Sequence, residues 1–464
     1  MKILYIPASF VSMSAMWKLL LLALPLMGSQ LASIGIMTAD IIMMGQLSAF
    51  DLAAGSLGIR FYQPFYFFAL GLTAVISPMI AQAIGAKDRQ AARRTFRGGL
   101  VIGLIAGVIF TPIVINGAPV LIALGQDEAV SYHARDFLFW TALSLPVFFT
   151  YLILRFFMMG NQHTTAQFLT TLGGLLVNIV LNPILAHGYF GSPALGLSGI
   201  AIATLISYCL MCVCLIIYIN WHRDFADLEP FVRLWRIDFQ LVLRIIRIGL
   251  PNAVIIMSET GMFVVAGLMI GTFGTAALVA TGIANQVAAI TFMIPLAVSQ
   301  ASAVLVGGAA GRNHYQDLAV YGWSAHLLGF CVAVPMTLIY ILFPHQIAGL
   351  FIAPEDALYD DAIPLILAMF VFVGIFQLVD GLQAIGTAKL RGLNDTKWPA
   401  VIALFSYWVI GIGSAFMLAF YFGFGPASVW AGLGFGLFMA SILLTLRWQL
   451  QLRQIAGGRP ILMM

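Results

Sequence analysis

Charged residues are scarce in this chain. Asp, Glu, Lys and Arg make up 9% of its 464 residues, whereas apolar residues make up 61%. A soluble core of ordinary size does not absorb that much apolar surface. The short alternating segments of an outer-membrane barrel are also missing. Instead, apolar runs of roughly 20 to 30 residues recur, and each is long enough to cross about 30 Å of hydrocarbon as a helix. The composition predicts an all-α membrane protein.

Motifs for catalysis and for nucleotide binding are absent as well. No GxxxxGK[ST] phosphate loop, HExxH or GxSxG occurs, and there is no cluster of His and Cys. The four cysteines are scattered in apolar runs, so Cys209 and Cys212 are interpreted as packing residues rather than a redox or metal pair. These absences exclude an enzyme and an ATP-driven pump, and they leave no cofactor to expect. An ion gradient is the remaining source of energy.

The chain contains an internal repeat. The stretch Leu24–Gly85 occurs again 226 positions later, so that Pro25 falls on Pro251 and Gly45 falls on Gly271. Prolines and glycines in register over this length indicate two homologous halves, as in transporters whose repeats enclose a shared cleft.

The apolar runs predict twelve transmembrane helices arranged as two pseudo-symmetric six-helix lobes. We assign 1–222 to the N-lobe, 223–239 to a cytoplasmic linker and 240–464 to the C-lobe. The predicted spans are 15–44, 52–84, 98–122, 132–157, 164–187, 195–221, 240–272, 276–309, 317–343, 361–388, 397–422 and 427–450.

Basic residues indicate the orientation. They concentrate in alternate loops, whereas the opposite loops carry acids such as Asp51 and Asp127. By the positive-inside rule, the basic loops and both termini face the cytoplasm, which predicts a multi-pass protein of the cell inner membrane. The net charge of +4 therefore reflects topology and not nucleic-acid binding. The basic loop residues are Lys87, Arg89, Arg93, Arg94, Arg97, Arg223, Arg233, Arg236, Arg312, Lys389, Arg391 and Lys397.

Three acids lie deep in apolar runs: Asp40, Glu259 and Asp380. Because an ionised carboxylate in hydrocarbon is costly, each must face protein or water, and we predict that all three couple transport to an ion. The alternative is a structural acid held by hydrogen bonds. In the repeat alignment Asp40 corresponds to Ala266, and Glu259 corresponds to Ser33. The two halves therefore differ in chemistry.

Polar residues accompany these acids at helical spacing. Asp380 shares a helix face with Gln377 and Gln383, while Asn178 and Asn182 share a face of the fifth span. Inward-facing stripes of this kind predict a polar cavity for substrate. For the asparagine pair, a hydrogen bond between helices is an equal alternative.

Arg60 stands out as a cation inside the second span, and its repeat partner is Gln286. One interpretation is that Arg60 snorkels to the membrane surface. The other places Arg60 and Gln286 at equivalent positions in the cleft, where Arg60 pairs with Asp40 or with a negative group on the substrate.

Several stretches resemble the multidrug and toxic compound extrusion (MATE) family, in particular its NorM-type branch: "TADIIMMGQLSAFDLAAGS", "LLVNIVLNPIL", "GLPNAVIIMSETGMF" and "DGLQAIGTAKLRGLNDT". The resemblance covers nearly the whole chain. It implies twelve helices in two lobes around a central cavity, and export of organic, often cationic compounds in exchange for H⁺ or Na⁺.

The resemblance also implies roles for individual residues. Asp40 matches the coupling acid of the first helix, and Asn178 with Asn182 matches the polar pair near it. Glu259 and Asp380 match the acids of NorM-type cation sites, which implies a Na⁺ site. Two positions depart from the family pattern, because Phe376 stands where Tyr is frequent and Arg60 is unusual.

The predicted function is therefore a secondary antiporter that exports small organic compounds by alternating access, with membrane lipid as its surroundings. The alternative is a flippase or exporter of a lipid-linked or polysaccharide precursor, for which more spans and several cavity cations are expected. An ion channel lacks support because no filter-like motif occurs. The sequence names neither the substrate nor the oligomeric state.

Overall fold

The computed structural model describes residues 11–355 and 358–457, and within these ranges every regular element is a helix. Twelve helices are long and apolar enough to cross a membrane, which confirms the predicted number. They are α1 (Met13–Leu47), α2 (Ala49–Gly85), α3 (Arg89–Ile115), α4 (Glu128–Gly160), α5 (Thr164–His187), α6 (Gly196–Trp221), α7 (Phe239–Gly271), α8 (Thr275–Gly311), α9 (Tyr315–Leu342), α10 (Tyr359–Gly392), α11 (Lys397–Tyr421) and α12 (Ala427–Ala456).

Shorter elements and irregular turns complete the described chain. A turn interrupts α2 between Thr73 and Ile76, and α11 contains two π-helical stretches, Phe405–Ile412 and Met417–Tyr421. π-Helical turns widen a helix locally and are frequent at functional sites. The remaining short helices are Gly117–Ala123, Tyr189–Gly191, Arg223–Phe225 and Pro344–Ala348.

Side-chain caps explain where three helices of the first half begin. The Ser48 side chain accepts a hydrogen bond from the backbone N–H of Asp51, which starts α2. Asp88 and Asp127 cap α3 and α4 in the same way, at 2.8 and 2.9 Å. Each cap satisfies a backbone donor that the first helical turn leaves unpaired.

The structure retains the repeat in its backbone. The first helices of the two halves begin at Met13 and Phe239, which are 226 positions apart like the prolines of the sequence repeat. The same spacing relates the starts of α2 and α8 and the left-handed turn residues Lys87 and Asn313, both at φ near +57°. Equivalent turns thus connect equivalent helices in both halves.

The chain divides into two compact units. One consists of Gly28–Ala253, and the other combines the described residues before Gly28 with those after Ala253. Both boundaries lie inside helices, two residues after Pro25 in α1 and two residues after Pro251 in α7. The lobes assigned from the sequence, 1–222 and 240–464 with a linker at 223–239, remain a prediction.

Two predicted loop segments are helical instead. The arginines from Arg89 to Arg97, predicted to precede a span at 98–122, form the first turns of α3, because Asp88 caps the helix there and Phe96 is buried. Lys389 and Arg391 were placed in a loop but belong to α10. Because these two charges interrupt the apolar run, the predicted span ends at 388, four residues before the helix does.

Candidate functional site

Asp40 is the centre of a buried polar cluster in the first half. The α1 helix brings its carboxylate, which is 9% exposed, against two helices that each contribute polar side chains. Asn178 and Asn182 of α5 donate to Asp40 Oδ1 at 3.1 and 2.9 Å, and the Thr204 hydroxyl of α6 donates to Oδ2 at 2.8 Å. Three donors converge on one carboxylate, which is the environment of an ionised acid.

The cluster continues between its own members. Asn178 Nδ2 also donates to Thr204 Oγ1 at 3.0 Å, and Asn182 Nδ2 donates to Asn178 Oδ1 at 3.2 Å. Asn182 Oδ1 is buried and has no partner among the described residues. The two asparagines thus divide their amide hydrogens between Asp40 and their neighbours in the cluster, and the Asp40 side chain bonds α1 to both α5 and α6.

A narrow cavity opens beside Asp40, and five of its eleven lining residues are aromatic. Tyr66 stacks against Phe148 with ring centroids 4.6 Å apart. The cavity volume of about 20 Å³ holds about one water molecule, so the cavity is closed to an organic ligand in this conformation. The residues lining the cavity are Asp40, Tyr62, Tyr66, Phe137, Thr141, Ser144, Leu145, Phe148, Ala201, Thr204 and Tyr208.

The two acids of the second half have a different environment. Asp380 of α10 is 3% exposed, and its Oδ1 has no hydrogen-bond partner among the described residues. Glu259 of α7 is partly buried and interacts electrostatically with Asp380. Gln377 is also buried, with neither its amide oxygen nor its amide nitrogen paired. This group has oxygens available for a cation and no basic side chain bonded to it.

Tyr407 completes this second group. The α10 residue Gln383 donates a hydrogen bond to the Tyr407 hydroxyl, and Tyr407 interacts electrostatically with both Glu259 and Asp380. Tyr407 lies in the first π-helical stretch of α11. Phe376, which stands where the resemblance expects Tyr, packs against aromatic rings instead, so Tyr407 is the hydroxyl next to these acids.

Arg60 and Gln286 are both exposed in the structure. Within the described residues, Arg60 makes no hydrogen bond and no ion pair, so the pairing with Asp40 is not formed. Their equivalent exposure on α2 and α8 agrees with the repeat register. The choice between a cleft position and a snorkelling position for Arg60 stays a prediction.

Two further cations, Arg155 and Lys389, are buried within membrane-spanning helices. Arg155 of α4 is 4% exposed and donates a hydrogen bond to Gln30 of α1. Lys389 of α10 is fully buried, and its ammonium lies 5.1 and 5.0 Å from the ring centroids of Trp323 and Trp448. Both cations lie near the end of an apolar run, where the amino-acid sequence alone does not distinguish a buried residue from a loop residue.

Sequence reasoning also missed Thr204 and Tyr407. Ser and Thr hydroxyls in apolar spans usually bond to their own helix backbone, so no sequence signal marked Thr204. Tyr407 is one of 14 tyrosines, and its sequence position does not distinguish it from the others. Thr204 lies eight residues after the start of α6, within an otherwise apolar stretch. Only the packing of α6 against α1 and α5 identifies it as part of the Asp40 cluster.

Comparison with known proteins identifies the family. The family profile described as MatE matches residues 25–184 and 251–417. The two matches begin at Pro25 and Pro251, which are the residues that align the internal repeat. The profile thus recognises each half separately.

Curated relatives match the chain over almost its whole length. It is 36% identical over 439 residues to a protein named "Probable multidrug resistance protein NorM" from Rhizobium meliloti, covering 95% of this chain and 94% of the relative. A protein of the same name from Rhodopseudomonas palustris is 37% identical over 427 residues, covering 92% of this chain and 90% of the relative.

Solved structures show the same fold at lower sequence identity. The crystal structure of a MATE transporter in complex with MaL6 has a TM-score of 0.88 at 20% identity, with 96% of this chain and 98% of that chain covered. A eukaryotic MATE transporter superposes with a TM-score of 0.85, also at 20% identity, covering 96% and 98% of the two chains. The chain therefore belongs to the MATE family, which consists of multi-pass membrane transporters and not of enzymes.

Proposed function

We propose that this protein is a secondary antiporter of the cell inner membrane, which exports small organic compounds in exchange for H⁺ or Na⁺. The names of its relatives support multidrug efflux. The observation that carries the proposal is the presence of buried acids in both halves. Within the described residues, Asp40, Glu259 and Asp380 have no basic partner in ion-pair contact. Their charge therefore depends on an ion from solution.

The Asp40 cluster favours a proton as its ligand. Its three donors all point at the carboxylate. A metal cation placed there faces N–H and O–H hydrogens instead of lone pairs. A proton on Asp40 turns one carboxylate oxygen into a donor, and that oxygen then opposes the donors of Asn178, Asn182 or Thr204. Protonation thus weakens the bonds that hold α1 to α5 and α6.

The second group favours Na⁺. Carboxylate oxygens of Glu259 and Asp380 and the amide oxygen of Gln377 are oxygen ligands, the kind that coupling Na⁺ ions use in secondary transporters. The unpaired Asp380 Oδ1 and Gln377 Oε1 support this assignment, because a buried oxygen without a partner is costly and a bound cation satisfies it. We therefore assign proton coupling to Asp40 and Na⁺ coupling to Glu259, Asp380 and Gln377.

Alternating access follows from the helices that carry these acids. Proline removes one backbone hydrogen bond and weakens a helix locally. Asp40 lies beyond Pro25 on α1, and Glu259 lies beyond Pro251 on α7. We propose that α1 and α7 bend at these prolines when the acids beyond them bind or release an ion, which exposes the substrate cavity to one side of the membrane at a time.

Transport into everted membrane vesicles tests the proposal. Accumulation of a fluorescent organic cation is measured with an acidic lumen and, separately, with a Na⁺-rich lumen. We expect accumulation under at least one gradient, and its loss when an ionophore collapses that gradient. Vesicles without the protein are the control. Accumulation that requires ATP, or none under either gradient, overturns the antiporter. Flipping of a lipid-linked precursor by the purified protein favours the alternative.

A further inference from the structure

A basic cavity lies outside the sites described above. It has a volume of about 620 Å³ and is formed by the first turns of α3 and by the linker that precedes α7. An ion pair between Arg89 and Asp227, at 2.8 Å, fastens the linker to α3 nearby. Five arginines and only two acids line the cavity: Arg93, Arg94, Arg97, Arg233 and Arg236, with Glu229 and Asp238.

The two acids are already engaged. Glu229 lies 3.4 Å from Arg93, and Asp238 lies 3.6 Å from Arg94. The other three arginines, Arg97, Arg233 and Arg236, form no ion pair with any residue in 11–355 or 358–457. The cavity thus carries an excess of three positive charges, given five arginines and two acids.

Arg97 shows that this excess is not simply a solvated surface. Its side chain is 7% exposed and donates to the backbone carbonyl of Val232, while its Nε is buried without a partner. The charges of Arg93, Arg233 and Arg236 all act on Arg97. Like charges gathered around a buried guanidinium are unfavourable unless an anion joins them, and arginines bind phosphate oxygens in this manner.

Apolar side chains flank the same arginines. Trp235, between Arg233 and Arg236, is 78% exposed, and Phe239, the first residue of α7, is 75% exposed. Tryptophan and other large apolar residues at the start of a transmembrane helix lie in the interfacial region of a bilayer. A soluble anion neutralises the arginines but leaves these rings in water. An anionic phospholipid neutralises the arginines with its phosphate and covers the rings with its acyl chains.

We propose that this cavity binds the headgroup phosphate of an anionic phospholipid. Arg97, Arg233 and Arg236 hold the phosphate, and the acyl chains lie along Trp235 and Phe239. The lipid thereby ties the linker to α3 and to the membrane surface. This proposal depends only on the location of the chain in a membrane and is independent of the coupling ions.

Native mass spectrometry of the full-length protein in detergent tests the lipid. The probes are phosphatidylglycerol and phosphatidylcholine with the same acyl chains. We expect phosphatidylglycerol to bind more tightly. The double variant Arg233→Gln/Arg236→Gln, which changes exposed side chains only, is expected to weaken its binding by roughly fivefold per arginine. Arg135→Gln/Arg223→Gln is the matched control, because it removes two exposed arginines outside the cavity and is expected to bind like the parent.

Two further arms separate a lipid from a soluble anion. Trp235→Ser is expected to weaken phosphatidylglycerol without affecting the binding of inorganic phosphate, and Arg97→Gln is expected to weaken both. Equal binding of the two lipids, or equal loss in the control double variant, refutes a headgroup site. Binding of inorganic phosphate as tight as that of phosphatidylglycerol, with no effect of Trp235→Ser, assigns the cavity to a soluble anion and contradicts the proposal.

Discussion

The acid of the first half lies on α1, and the acids of the second half lie on α7, which matches α1 in the repeat, and on α10. Their surroundings are opposite. Asp40 accepts three hydrogen bonds from amide and hydroxyl donors. Asp380 Oδ1 has no donor among the described residues. The side-chain amide of Gln377, three positions earlier on the same helix, is also unpaired among them. On these different surroundings we based the proposal that Asp40 binds a proton and that Asp380 and Glu259 bind Na⁺. The comparison teaches that a repeat can preserve its helices while the buried acids of its two halves acquire different hydrogen-bond surroundings.

The difference between the two halves arises from substitutions at single positions of the repeat. Ala266 is the repeat partner of Asp40 and is buried at 4% exposure, so α7 provides no acid there. Glu259 lies seven residues earlier, opposite Ser33, whose hydroxyl bonds to the carbonyl of Ser29 on its own helix. Helix starts stay in register between the halves, while the acids occupy different turns.

The largest effect is expected from removing the second-half charge. Asp380→Asn and Glu259→Gln keep the side-chain shape and lose the charge through which a gradient acts. We expect gradient-driven transport in everted vesicles to fall by about tenfold or more for each variant. Membrane insertion, judged by protein level and elution from a sizing column, is expected to be unchanged. Parental transport rates for both variants under both gradients contradict the site.

A smaller but clear loss is expected for Asp40→Asn. The amide oxygen still accepts from Asn178 and Asn182, and its nitrogen donates to Thr204, so the cluster is expected to keep its geometry without a charge. We expect proton-driven transport to fall roughly fivefold to tenfold. Asp136→Asn, which removes an exposed acid of α4 outside the cluster, is a control for the loss of one charge. An unaltered proton-driven rate refutes a coupling role for Asp40.

Tyr407→Phe refines the description of the second group. The change removes the hydroxyl that Gln383 bonds and leaves the ring in place. We expect the Na⁺ concentration for half-maximal transport to rise about threefold to tenfold, because Gln383 loses its partner next to the acids. Proton-driven transport is expected to stay the same. Tyr421→Phe, at the exposed end of α11, is the control. If this Na⁺ concentration rises equally in Tyr421→Phe, Tyr407 has no specific role at the second-half acids.

Arg60→Gln is expected to have the smallest effect. It introduces the residue that Gln286 already provides at the equivalent position, and Arg60 has no ion pair within the described residues to lose. If Arg60 lines the cleft, inhibition by anionic compounds weakens about twofold to fivefold, while inhibition by matched cationic compounds is unchanged or stronger. Competition against a fluorescent substrate measures both. Unchanged affinities for both classes leave only the snorkelling position.

Much of the fold could be predicted from the sequence. Twelve apolar runs of membrane-spanning length predict twelve helices, and prolines and glycines that repeat at a fixed spacing predict two similar halves. The spacing of Asn178 and Asn182 predicts only that they share a helix face, and their proximity to Asp40 was implied by the family resemblance. The burial of Lys389 was not predicted, because a lysine three positions from a helix end is expected to be exposed. Only its packing against Trp323 and Trp448 in the structure shows that it is buried. The π-helical turn that positions Tyr407 has no sequence signature of its own.

Binding of radioactive Na⁺ to purified protein tests the separation of the two ion sites most directly. The parent, Asp40→Asn and Asp380→Asn are compared at equal protein concentration and fixed pH. Saturable binding is expected for the parent and for Asp40→Asn, and its loss is expected for Asp380→Asn. Absence of saturable Na⁺ binding in the parent, or its loss in Asp40→Asn, would contradict the account of two separate ion sites.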